Sequence, residues 1–268
     1  MTDSHRSGST TPNLSRRRLL QLAGATTFLS ACTHSGPPLP QADPVLLVPP
    51  RPVAMPAPAS FAAPPAAPPA GAASQVLLCR DAWGARPPHP GGRPHTITRM
   101  TIHHTAVVLG DNSNITSRLR QHQRYHQDAL GWVDIAYHVG VDRDGNIFEL
   151  RRTAIAGDTA TNYDTTGHFL VVCEGNFDEE PVSEAQLNGA ALAFAWATQE
   201  FGITSNTLAS HRQVAAATSC PGANLQAHVA SGDLRRRIDD LVATGPVELQ
   251  PVCGPQAADV VAAIESGR

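Results

Sequence analysis

The chain has 268 residues, a net charge of −3, 23 prolines and five cysteines. That length fits one ordinary domain with flanking segments or two small domains, and the charge leaves no basic stripe for a nucleic-acid partner. Prolines crowd the chain before residue 92 and patterned apolar segments follow residue 97, so only the second part can bury a core.

Residues 1–31 read as an export signal. Ser15-Arg16-Arg17-Arg18-Leu19-Leu20 leads into an apolar run at 19–31 that is too short to remain as a spanning helix. The arginine pair with its leading serine and trailing leucines resembles a twin-arginine signal, which implies export of an already folded protein. Leu29-Ser30-Ala31-Cys32 resembles the bacterial lipobox, making Cys32 the expected lipidation site and the membrane a partner through a lipid anchor. Each buried methylene of such an anchor adds about 0.8 kcal/mol. Thr33 after the cysteine resembles outer-membrane sorting, so the expected location is the cell envelope, lipid-anchored in the periplasm. Residues 32–75 are the lipidated end and a proline- and alanine-rich tether. It buries too little apolar surface to offset chain entropy. At about 3.1 Å per residue, it reaches on the order of 100 Å.

Residues 76–243 carry the folded pattern. A buried strand is expected at 100–106, a polar helix at 113–127, a hairpin of 135–141 with 146–150 around Asp144-Gly145, and a further strand at 169–174. Ser183 opens a long helix through Gln199, with Gln186 placed for a capping box, and 234–242 is expected as the last helix. A hairpin mixed with helical connections indicates an α/β (α+β) fold, a central mixed β-sheet flanked by helices. Residues 244–268 are expected as a C-terminal tail with a short helix at 260–264. Cys79 and Cys253 sit at the two ends of the domain; an oxidising envelope would let them pair, while spacing leaves the connectivity open. Cys173 lies in an apolar strand and reads as an inert buried thiol.

Chemistry-bearing residues gather at three places. His103-His104 end the strand at 100–106, His211-Arg212 follow later, and Thr218-Ser219-Cys220-Pro221-Gly222 close the series. Two imidazoles and a thiolate form a zinc donor set, and His103, His211 and Cys220 give three ligands with one position open, the count of a catalytic site. His122 and His126 stand at i, i+4 spacing and are read as a solvated helix face for want of a third ligand.

Five segments taken in order resemble the zinc amidase domain of the peptidoglycan recognition proteins and certain phage lysozymes, of the N-acetylmuramoyl-L-alanine amidase class. They are Arg80-Asp81-Ala82-Trp83-Gly84-Ala85, Ile102-His103-His104-Thr105-Ala106, Trp132-Val133-Asp134-Ile135-Ala136-Tyr137-His138, Glu174-Gly175-Asn176-Phe177, and His211-Arg212 through Cys220-Pro221-Gly222. The resemblance implies that fold, a Zn2+ cofactor held by His103, His211 and Cys220, Tyr137 as a catalytic residue and Thr218 assisting the oxyanion. It also implies hydrolysis of the amide between N-acetylmuramic acid and L-alanine in peptidoglycan or muropeptides. The competing class is a non-catalytic peptidoglycan-binding envelope lipoprotein; members that only bind typically lack the cysteine, and Cys220 is present. Two features depart from the family. Gly157-Asp158-Thr159 followed by Tyr163-Asp164 replaces Gly-x-His followed by Tyr-Asn, and the loop from His211 to Cys220 is one residue longer.

Overall fold

The structure, a computed structural model, describes residues 73–268; the export signal, Cys32 and nearly all of the expected tether lie outside the described residues. Seven strands form one mixed sheet: β1 (Ala73–Leu78), β2 (Arg99–His104), β3 (Val139–Val141), β4 (Ile147–Glu149), β5 (His168–Cys173), β6 (Leu208–Ser210) and β7 (Val247–Val252). Their order is β6-β2-β5-β3-β4-β1-β7, parallel at every contact except the β3–β4 hairpin. The sequence His168-Phe169-Leu170-Val171-Val172-Cys173 is apolar with little alternation because β5 is covered on both faces, as a central parallel strand must be.

Helices cover both faces. α2 (Glu184–Phe201) and α5 (Asp233–Thr244) pack over Met100, Ile102, Phe169 and Val171. On the other face, α1 (Ile115–Arg124) and α6 (Gly254–Glu265) pack with Trp83, Phe148 and Val172. Two shorter helices, α3 (His211–Val214) and α4 (Ala223–Ala230), follow β6. The expected mixed sheet flanked by helices is therefore the observed fold.

Several boundaries differ from the sequence expectation, each for a physical reason. α1 stops at Arg124 and continues through a wider turn over Tyr125–Ala129. Ser183 caps α2 by accepting from the Gln186 N–H at 3.0 Å, but the Gln186 side chain does not complete a capping box. Its amide donates instead to the carbonyls of Val141 and Glu174, both at 3.0 Å, tying the ends of β3 and β5 together. The segment expected as a tail is part of the fold: β7 pairs with β1 over six residues, and α6 follows it onto the sheet. Pro251 and the alternating polar residues of β7 suit an edge strand. A disulfide joins Cys79 to Cys253, fastening α6 to the start of the domain, and the Gly254 N–H donates to Asp81 beside it at 2.8 Å.

Candidate active site

His103 is the fifth residue of β2, and the period-2 alternation of the strand decides where it points. Met100 and Ile102 face the α2 side, so His103 faces the other and His104 turns back. The His104 ring accepts from the Phe177 N–H at 3.3 Å, with Nδ1 as the acceptor. β6 brings in the second residue. Ile102 lies opposite Ser210 in the β2–β6 ladder, so the next residue along, His211, stands beside His103 with ring centroids 4.6 Å apart. The Ser210 N–H donates to the Gln213 side chain at 2.8 Å, which fixes the turn from strand to α3.

The loop after α3 folds back on the same corner. Arg212 N–H donates to the Cys220 carbonyl at 2.9 Å, and the Arg212 guanidinium donates to the Ser219 carbonyl. Cys220 Sγ then lies 3.7 Å from His103 Nδ1 and accepts from the His104 N–H at 3.4 Å. One ligand atom from each of His103, His211 and Cys220 lies within 4.8 Å of the other two. All three are buried, at 2%, 8% and 8% exposure. Burial, reinforced by neighbouring histidines, holds His103 well below the ordinary imidazole range, and burial takes His211 to about 4. The Cys220 thiol is pushed up to about 12 by burial, against the opposing pull of the His104 N–H and Arg212. Two neutral imidazoles offer lone pairs, and a buried sulfur can ionise only beside a cation. That donor chemistry fits a bound divalent metal.

The cluster opens into a groove of about 250 Å³. Tyr137, in the loop before β3, forms one wall with its ring 5.1 Å from His103, and burial raises its hydroxyl above the usual phenol range. Thr218 also lines the groove, its Oγ1 accepting from the Cys220 N–H at 3.1 Å. The expected site residues of the domain thus meet in one place.

Other residues in the groove or packed beside it carry no clear signal in the sequence. His126 is buried rather than on a solvated face: its Nδ1 accepts from the Ala136 N–H at 3.2 Å, and its ring lies tilted against Trp132 with centroids 4.8 Å apart. His122, one turn earlier, meets Glu174 Oε2 at 3.2 Å. Thr161 Oγ1 lies 2.6 Å from His211 Nε2, and the Tyr163 hydroxyl lies 3.4 Å from His103 Nε2. The one hint of these two is the departure at Gly157-Asp158-Thr159 and Tyr163-Asp164.

A helix-covered mixed sheet with His103 and His211 at the ends of adjacent strands and Cys220 on the loop after α3 is the arrangement of a peptidoglycan-directed amidase domain. The family model described as N-acetylmuramoyl-L-alanine amidase matches residues 93–223. Peptidoglycan-recognition protein SC2 of Drosophila melanogaster is 30% identical over 153 residues, covering 56% of this chain and 82% of that protein. The human N-acetylmuramoyl-L-alanine amidase is 32% identical over 153 residues, covering 54% of this chain and 26% of that protein. Among solved structures, a point mutant of Drosophila PGRP-LB in complex with tracheal cytotoxin superposes with a TM-score of 0.53 at 28% identity, covering 58% of this chain and 93% of that one. The chain belongs to the peptidoglycan-recognition protein family, and its residues 93–223 match the N-acetylmuramoyl-L-alanine amidase model.

Proposed function

We propose that the folded domain at 73–268 is a zinc-dependent N-acetylmuramoyl-L-alanine amidase, hydrolysing the amide between N-acetylmuramic acid and L-alanine in peptidoglycan or muropeptides. The convergence of His103, His211 and Cys220 within 4.8 Å on a groove beside Tyr137 carries this reading. Bound Zn2+ would polarise the lactyl carbonyl and lower the pKa of an attacking water. A phenol keeps its proton at neutral pH, and burial raises the Tyr137 hydroxyl further, so it can donate towards the oxygen on which charge develops. Thr218 spends an oxygen lone pair on the Cys220 N–H and keeps its own proton free to donate. The complex of the PGRP-LB mutant with tracheal cytotoxin supports a peptidoglycan fragment as the groove's occupant.

The rest of the chain places this activity. Residues 1–31 serve export by the twin-arginine route, and acylated Cys32 anchors the protein in the periplasm at the outer membrane. The segment from Cys32 to the domain serves as its tether. Incubating the protein with purified peptidoglycan, with and without a chelator, and following products by mass spectrometry tests the reading. Chelator-sensitive release of stem peptides beginning at L-alanine is the expected result. A folded, zinc-loaded protein that binds peptidoglycan and releases none would instead be the wall-binding lipoprotein.

A further inference from the structure

The groove is lined in part by the segment in which the sequence leaves the family pattern, and that segment carries a run of hydroxyls with no part in the proposed chemistry. Thr161 Oγ1 is 2.6 Å from His211 Nε2 and 2.8 Å from Thr159 Oγ1, and the Thr161 N–H donates to Thr159 Oγ1 at 3.1 Å. A neutral imidazole has one N–H and one lone pair. If the lone pair serves a metal, the other nitrogen carries the proton and needs an acceptor, and a ring left without one swings and loses basicity.

We infer that Thr161 is a positioning residue for His211: its hydroxyl oxygen accepts the Nε2 proton and turns Nδ1 towards His103 and Cys220. This inference rests on the metal reading above and assigns the tautomer of one ligand. The hydrogen-bond directions close consistently. His211 Nε2–H donates to Thr161 Oγ1, the Thr161 hydroxyl donates to Thr159 Oγ1, and the two lone pairs of Thr159 Oγ1 accept both the Thr161 hydroxyl and the Thr161 N–H. Thr159 thereby holds Thr161 in place from within the same loop. The Tyr163 hydroxyl, 3.4 Å from His103 Nε2, stands beside the other ligand at a looser distance and is not needed for the assignment.

The test is zinc affinity, measured by competition with a chromophoric chelator on the metal-stripped full chain, without reference to turnover. Thr161→Val, which removes only the hydroxyl, should bind zinc about 10- to 100-fold more weakly than the unaltered protein. Thr161→Ser, which keeps the hydroxyl, should stay within about threefold. Thr159→Val should show a smaller loss in the same direction, and it carries the test should Thr161→Val fail to fold. Unaltered affinity in folded Thr161→Val overturns the inference, as does a loss in Thr161→Ser equal to that in Thr161→Val, which would assign the effect to methyl packing. If the unaltered protein takes up no zinc, the proposed function falls and this inference with it; zinc uptake that is indifferent to Thr161 sinks the inference alone.

Discussion

His103 stands beside His211 because Ile102 lies opposite Ser210 in the β2–β6 ladder, so a single strand register joins two residues that are far apart in the sequence. The two imidazoles are therefore set by backbone pairing of the sheet, while Cys220 arrives on a loop. Loss of the sulfur should spare the fold. Cys220→Ser is expected to keep the unfolding midpoint close to that of the metal-free protein. Its zinc affinity should fall by more than the roughly 10- to 100-fold that loss of an outer hydrogen-bond partner costs, with amidase activity lost. Chelator competition and a melting curve on the same sample read both.

Tyr137 lines the groove beside His103 and acts in the proposed chemistry as a donor and not as a ligand, so its contribution separates from metal binding. Tyr137→Phe should lower kcat by roughly 10²- to 10³-fold, the usual cost of one oxyanion donor, with zinc affinity unchanged. A variant that loses zinc in proportion to activity would assign Tyr137 to holding the site instead.

The sheet centre is legible in the sequence because its pattern is local, whereas His103, His211 and Cys220 are far apart in the chain and are drawn together by the resemblance of five ordered segments. β5 is a continuous apolar run, and the hairpin announces itself through Asp144-Gly145. The edges are not. β7 carries Pro251 and polar residues that blur its alternation, and its strand character comes from β1, at the far end of the domain in sequence. At the site, the burial of His126 is hidden because i, i+4 spacing on a polar helix reports a face but not what covers it. Trp132 and Tyr137 cover it from a loop. Thr161 has no motif at all; only the path of its loop, just before β5, brings it to His211.

The disulfide tests the part of the fold that is hardest to read from sequence. Cys79 and Cys253 are 174 residues apart, and closing a loop of that size corresponds to about 5 kcal/mol in the chain-entropy model. Cys79→Ser with Cys253→Ser should lower the thermal midpoint substantially. Hydrogen exchange should rise first in β7 and α6, leaving β2, β5 and β6 protected.

Acid should destabilise the metal-free protein through its buried histidines. Burial lowers His104, His126 and His168 to about 4 and His138 to about 3, against about 6.5 when unfolded. Below pH 6.5 the unfolded chain therefore binds more protons than the folded one. Stability falls as pH drops from about 6.5 towards 4, by up to about 1.4 kcal/mol per pH unit for each histidine. Asp142 acts in the opposite sense, since burial raises it to about 6: between about 4 and 6 the folded state holds a proton the unfolded chain has released. One histidine's worth of slope is thereby offset in that window. Urea midpoints measured from pH 7 to 4 should fall monotonically, and a flat profile would contradict the burial of these rings.

Gly222 follows the Cys220-Pro221 corner with φ +84°, and a Cβ there would sit 2.6 Å from the Phe177 carbonyl carbon, 2.8 Å from Asp178 N and 3.0 Å from His104 Nδ1. Backbone atoms cannot swing aside as a long side chain can, so Gly222→Ala must move either the cysteine corner or the 177–178 loop. The conformation itself costs about 1–3 kcal/mol for a residue with a Cβ. Gly202, at the end of α2, has φ +64° with nothing within 4 Å of an added methyl, so Gly202→Ala bears the conformational cost alone, about 1 kcal/mol. Gly222→Ala should therefore lose both stability and zinc affinity, whereas Gly202→Ala should lose only stability. Equal zinc affinity in the two variants would show that the cysteine corner tolerates displacement.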